Sequence, residues 1–209
     1  MAPAKLNKMW KKDSTLWEEY HEVADAVAQS WGNSRPMDII YNQIVSMIPS
    51  YQGKKPSVID FGCGKGELVK KLKERKDIGK VIGVDHVVKV GEKDMIQCNM
   101  EDLDPKLFPD KSRNFAVFSL SLSWGPDAVK QYLKQAYRIL YTGGILLIVE
   151  GWEMWCKMDK NNNNGEITDK LRPIVEAAGF ILMFGTTDHN LEKKEGKHDK
   201  FLKIFAVKH

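Results

Sequence analysis

Ser57-Val58-Ile59-Asp60-Phe61-Gly62-Cys63-Gly64-Lys65-Gly66-Glu67-Leu68 is an apolar run that breaks at closely spaced glycines and then resumes with helical character. The pattern predicts a strand, a glycine-rich turn and a helix. Glycine at 62, 64 and 66 lets the main chain take positive φ and lets a ligand lie against bare backbone. A tight strand-to-helix connection needs glycine for its own sake, so the turn alone leaves structure and ligand binding as equal readings. Val81-Ile82-Gly83-Val84-Asp85 then predicts a second buried strand, ending in a carboxylate placed to accept from a ribose diol. A further apolar run leads into Asn99-Met100-Glu101-Asp102.

Outward from this stretch the pattern alternates. Strands are expected over 57–61, 80–85, 95–98, 114–120, 144–150, 180–187 and 200–207, with helices over 65–76, 127–140 and 167–178. Such alternation predicts an α/β fold, a mostly parallel seven-stranded sheet covered by helices on both faces. Phe180 to Thr187 and Phe201 to Val207 read as an antiparallel closing hairpin, with the charged connection Asp188 to Lys200 as its loop. Thr142-Gly143-Gly144 is expected to close the helix before the strand Ile145 to Val149.

Ahead of the sheet, Leu16, Tyr20, Val23, Ala24 and Val27 keep a helical period, with Asp13-Ser14-Thr15 as caps. His21 lies beside that stripe, where packing is the ordinary role of a histidine. A second helix starts at Pro36, puts Met37, Ile40, Tyr41, Ile44 and Ile48 on one face, and is expected to stop at Pro49. The chain reads as one domain, with residues 1–50 forming a helical lid on a core over 51–209.

A chain of 209 residues with 43% hydrophobic content can bury a full core. Cys63, Cys98 and Cys156 are too scattered for a disulfide framework or a metal knuckle, so no metal is expected. No apolar run approaches the roughly 18 residues of a membrane span, which points to a soluble protein. The net charge of +4 permits a polyanionic partner without demanding one. Lysines bunch at 5–12, at Lys65, Lys70, Lys71, Lys73 and Lys76, and at 193–200. Solvated faces are the plain reading, and a nucleic-acid footprint needs them gathered on one surface.

Asp60-Phe61-Gly62-Cys63-Gly64-Lys65-Gly66 resembles the Asp-x-Gly-x-Gly-x-Gly motif of class I S-adenosylmethionine-dependent methyltransferases at every fixed position. The resemblance implies a single Rossmann-like domain with S-adenosylmethionine as cofactor, Asp60, Gly62 and Gly64 contributing to its site. Tyr20-His21-Glu22, Trp31, Arg35 to Ile40, Cys98-Asn99-Met100 and Phe115 to Leu122 further resemble the ribosomal RNA-processing protein 8 and nucleomethylin family. That likeness implies cofactor contacts from His21, Gly62, Asp85, Asn99, Met100 and Ser119. It also implies methylation of N1 of an adenine in ribosomal RNA, an RNA partner, and a nuclear, nucleolar location. Asn99 replaces an acidic residue of the pattern, Ser119 a cysteine, and Tyr141-Thr142 a Lys-Pro pair.

Adenine N1 carries a free in-plane lone pair, so its methylation needs alignment rather than a general base. Trp124, after Ser121-Leu122-Ser123, is placed either to stack on an extruded base or to pack the turn. Glu150, Glu153 and Asp127, near the ends of the fourth and fifth strands, are candidates to stabilise the positive charge that N1 methylation develops. Fold alone leaves other readings open: a small-molecule or protein methyltransferase, or a non-catalytic S-adenosylmethionine-binding subunit.

Overall fold

The computed structural model describes residues 36–86, 88, 92–122, 126–151, 167–192 and 198–209. His21 and its helix, Trp124, Glu153, Cys156 and the lysines at 5–12 lie outside the described residues, as do Lys193, Lys194 and Lys197.

In chain order the elements are α1 (Pro36–Met47), a 3-10 turn (Ile48–Tyr51), β1 (Val58–Phe61), α2 (Glu67–Lys73), β2 (Val81–Asp85) and β3 (Met95–Gln97). Then follow β4 (Arg113–Ser119), α3 (Pro126–Ile139), β5 (Leu140–Gly151), α4 (Ile167–Ala177), β6 (Phe180–Glu192) and β7 (His198–Lys208). They build a seven-stranded sheet in the order β3-β2-β1-β4-β5-β7-β6. The pairs from β3 across to β5 are parallel, and β7 joins β5 and β6 antiparallel.

Strand residues alternate between two cores, as a pleat with both faces covered requires. Ile59, Phe61, Ala116, Phe118, Leu146 and Ile148 pack with Leu133 and Ala136 of α3 and Leu171 and Val175 of α4. Val58, Phe115, Val117, Leu147 and Val149 pack on the opposite face with Ile40 and Ile44 of α1 and Leu68 and Leu72 of α2. All four residues of β1 are buried, so the glycine turn that follows it is anchored at the middle of the sheet.

Local departures from expectation have local causes. The α-helix α1 does end just before Pro49, at Met47, and Pro49 itself sits inside the 3-10 turn that follows, where its fixed φ is tolerated. The double glycine does not end α3. Leu140 already pairs with Arg113, and the register then shifts, so Thr142-Gly143-Gly144 is an irregularity within β5, with Gly143 at φ 76. The β6–β7 ladder runs out to Glu192 opposite His198, because extended backbone on both sides keeps finding partners. Most of the expected Asp188–Lys200 loop is therefore strand.

Candidate active site

The turn after β1 is built from backbone. Gly62 N–H and Cys63 N–H both donate to Val84 O, at 2.8 and 3.1 Å, and Gly66 N–H closes onto Cys63 O at 2.8 Å. Gly62, Gly64 and Gly66 have φ of 71, 53 and 70, the left-handed region that favours glycine. At Gly62 space forbids a side chain as well, because a Cβ there would overlap Ser121 Cβ and lie 3.2 Å from Ser121 Oγ.

Two carboxylates flank this turn. Asp85, at the end of β2, is 4% exposed and its Oδ2 accepts from Gly64 N–H at 2.8 Å. Asp60, in β1, is 2% exposed, and its Oδ1 has no hydrogen-bond partner among the described residues. Burial, with a further push from the charge of Asp85, raises the Asp60 carboxyl to about 7. A buried acceptor left open, a carboxylate and bare main chain around one turn fit a ligand with hydroxyl donors and positive charge, as S-adenosylmethionine has.

The other described residues of the predicted set occupy the same C-terminal edge of the parallel strands, where open α/β sheets bind ligands. Asn99, after β3, is exposed, and its Oδ1 accepts from Glu101 N–H at 3.0 Å, which shapes the local turn. Met100 is 1% exposed, its side chain part of the core. Ser119 ends β4, half-buried, beside Val149 of β5. Asp60, Gly62, Gly64, Asp85 and Ser119 thus come from the adjacent strands β1, β2 and β4 or the turn leaving β1.

The chain turns sharply after β4. Leu120 takes φ 56, unusual for a branched residue. Its N–H donates to Val149 O at 2.9 Å, and the next two amides, Ser121 N–H and Leu122 N–H, donate to Glu150 Oε1 at 2.5 and 2.8 Å. Glu150 is fully buried, and burial pushes its carboxyl up to about 8 against the lowering effect of the two amides. Ser121 is missing from the set read in the sequence, where nothing separates it from Ser119 or Ser123. Its signal is spatial, the contact with Gly62. Asp127 is exposed at the start of α3 and pairs with Lys130 at 3.1 Å.

Three of the bunched lysines, all on α2, are matched by carboxylates. Lys70 pairs with Glu92 at 3.2 Å, Lys71 with Asp38 at 2.7 Å, and Lys73 with Asp94. Bunching in sequence is offset here by carboxylates from α1 and from the segment before β3.

Compared with known proteins, residues 2–160 match the model of a family described as hypothetical methyltransferase. The chain is 29% identical over 167 residues to ribosomal RNA-processing protein 8 of Arabidopsis thaliana, covering 80% of this chain and 51% of that protein. It is 25% identical over 175 residues to the 25S rRNA (adenine(645)-N(1))-methyltransferase of Schizosaccharomyces pombe, covering 81% and 50%. The chain thus spans about half the length of these curated relatives. Among solved structures, Burkholderia thailandensis 1,6-didemethyltoxoflavin-N1-methyltransferase superposes with a TM-score of 0.66 at 19% identity, covering 100% of this chain and 91% of that one. A TehB-like S-adenosylmethionine-dependent methyltransferase from Corynebacterium glutamicum gives 0.66 at 15% identity, covering 94% and 100%. These likenesses identify the sheet as the class I fold of S-adenosylmethionine-dependent methyltransferases. The match over residues 2–160, on that fold, means that the chain belongs to the hypothetical methyltransferase family.

Proposed function

We propose that the chain methylates N1 of an adenine in ribosomal RNA and works in the nucleolus. The observation that carries this reading is the likeness to relatives named for rRNA processing and rRNA adenine-N1 methylation, over a C-terminal strand edge that presents a glycine turn and paired carboxylates.

Bound S-adenosylmethionine supplies an activated methyl group on a positively charged sulfur that is its own leaving group. The chain's residues hold and orient. Asp85 would accept from the ribose diol, the Gly62–Gly66 backbone would lie against the ligand, and Asp60 would offer its open acceptor. Asn99 meets the adenine amino group through its carbonyl oxygen, beside the Met100 backbone, and Ser119 lines the β4 side. His21 is proposed to contact the ligand, and Trp124 to stack on the extruded base.

N1 brings its own lone pair, so alignment is the main task of the site and no side chain has to remove a proton. Glu150 is fully buried and engaged with backbone amides, which leaves holding the acceptor loop as the role its geometry supports.

The test is transfer of labelled methyl groups from S-adenosylmethionine into the RNA, protein and small-molecule fractions of an extract, followed by nucleoside analysis. Label in large-subunit rRNA, recovered as 1-methyladenosine, is the expected result. Label confined to protein or small molecules overturns the substrate and leaves the methyltransferase assignment standing.

A further inference from the structure

Buried polar atoms are normally paired, and those that are not call for an explanation. Among the described residues the unpartnered buried side-chain atoms are Asp60 Oδ1, Arg113 Nε, Ser121 Oγ and Glu150 Oε2. Arg113 lies at the opposite, N-terminal end of β4. The other three cluster by topology. Asp60 is next to last in β1, Ser121 follows β4 by two residues, and Glu150 is next to last in β5. These strands are neighbours in the sheet, and all three positions are at the edge that carries the glycine turn.

Glu150 is the connecting piece. One carboxyl oxygen collects two consecutive amides of the Leu120–Leu122 turn, a turn that opens with Leu120 in the left-handed region. A leucine holds that conformation at a cost of about 1 kcal/mol or more and needs surrounding contacts to stay there. The two amides on Glu150, with Leu120 N–H on Val149 O, are such contacts. The turn in turn carries Ser121, which fills the space beside Gly62 that any side chain on that glycine would need. Glu150, the post-β4 turn and the donor turn therefore form one contiguous chain of contacts.

We propose that Glu150 is a positioning residue for methyl transfer: by holding the Ser121 and Leu122 amides it fixes the post-β4 turn against Gly62 and so sets where the acceptor lies relative to the donor. This rests on the reading of the strand edge as the methyl-transfer site. The hold is a hydrogen-bond acceptor function. The raised proton affinity of Glu150 agrees with this, since the carboxyl can serve through Oε1 while protonated.

The experiment measures turnover, acceptor KM and donor affinity for Glu150→Ala, Glu150→Asp and Glu150→Gln. It uses the full chain with labelled S-adenosylmethionine and whichever extract fraction the unmodified protein labels, and calorimetry for donor binding. Misplacing reacting groups by about 1 Å can cost roughly a hundredfold in rate. Glu150→Ala and Glu150→Asp should lose at least tenfold in kcat with donor Kd and acceptor KM within about threefold. Glu150→Gln, which keeps the acceptor oxygen, should recover most of the loss. If Glu150→Ala fails to fold, the shortened Glu150→Asp carries the comparison with Glu150→Gln. Unchanged kcat in folded Glu150→Ala or Glu150→Asp overturns the proposal. So does a Glu150→Gln as deficient as Glu150→Ala, which would assign the role to charge, and so does donor affinity that falls in step with kcat. Label outside RNA overturns the substrate reading alone, because the comparison among variants is then made on that fraction.

Discussion

Gly64 N–H donates to Asp85 Oδ2 at 2.8 Å, so the carboxylate that ends β2 reaches across to the turn that ends β1. Together with the Gly62 and Cys63 amides on Val84 O, this ties the turn to β2 through both main chain and side chain. The shape of the turn and the position of the carboxylate are thus set together. Hydrogen bonds to a charged acceptor are worth about 1.5–3 kcal/mol. Asp85→Ala should weaken S-adenosylmethionine binding more than tenfold by calorimetry. Equal affinity in the variant would remove Asp85 from the donor site.

Gly62 meets two obstacles to substitution, its φ of 71 and the side chain of Ser121. Gly62→Ala should destabilise the fold by about 1–3 kcal/mol in denaturant unfolding and weaken donor binding. Adding Ser121→Gly should return part of the stability by removing the overlap, while the cost of positive φ remains. A double variant no more stable than Gly62→Ala would show that backbone conformation alone is at issue.

Buried carboxyls give the fold a definite pH response. Asp60 rises from 3.8 to about 7, and Glu150 from 4.5 to about 8. Each holds its proton in the folded state to higher pH than in the unfolded chain. Between those limits the native state binds more protons, so stability falls as pH rises from about 4 to about 8. Glu150→Gln removes one of the two groups. Its unfolding free energy should decline less steeply between pH 5 and pH 8.5 than that of the unmodified protein, and parallel slopes would contradict the assignment.

The ion pairs of Lys70 with Glu92 and of Lys73 with Asp94 bear on the proposed binding of RNA. A lysine that neutralises a phosphate contributes nearly one unit to the slope of log affinity against log salt. Lysines already matched by protein carboxylates have less to contribute. Lys70→Gln and Lys73→Gln should change RNA affinity by less than about twofold and leave the salt slope nearly unaltered, as read by fluorescence anisotropy. A slope reduced by one unit in either variant would place that lysine on the RNA.

The strand and glycine pattern from Val58 to Asp85 was legible because burial on both faces and positive φ each leave a mark in residue type. Both strand ranges were met within a residue. The extent of β5 and the β6–β7 ladder was not, because β5 already pairs at Leu140, ahead of the Thr142-Gly143-Gly144 irregularity, and because the β6–β7 pairing continues through charged residues whose composition suggests loops. In the candidate site, the grouping of Gly62, Gly64 and Asp85 around one turn was readable from spacing along consecutive elements, and Asp60 from the motif resemblance. Ser121 was not, since its significance lies in meeting Gly62 from another strand. Glu150 could be suspected as an acid at the end of an apolar strand, but its task is visible only once the amides of Ser121 and Leu122 are seen to converge on one oxygen. The ion pairs of the α2 lysines were not legible either, as their partners Asp38, Glu92 and Asp94 are close in space but distant in sequence.

The seventh strand in chain order, β7, is an inner strand of the sheet, seated between β5 and β6. During synthesis β5 and β6 therefore emerge with no direct pairing to each other and wait for residues 198–208. Until that segment leaves the ribosome, β5 presents an unfilled hydrogen-bonding edge along Ile145 to Gly151, the stretch that contains Glu150. The candidate site therefore borders a strand whose far edge pairs only with the strand following all the others in chain order, and a nascent chain stalled before residue 198 would expose an open sheet edge there.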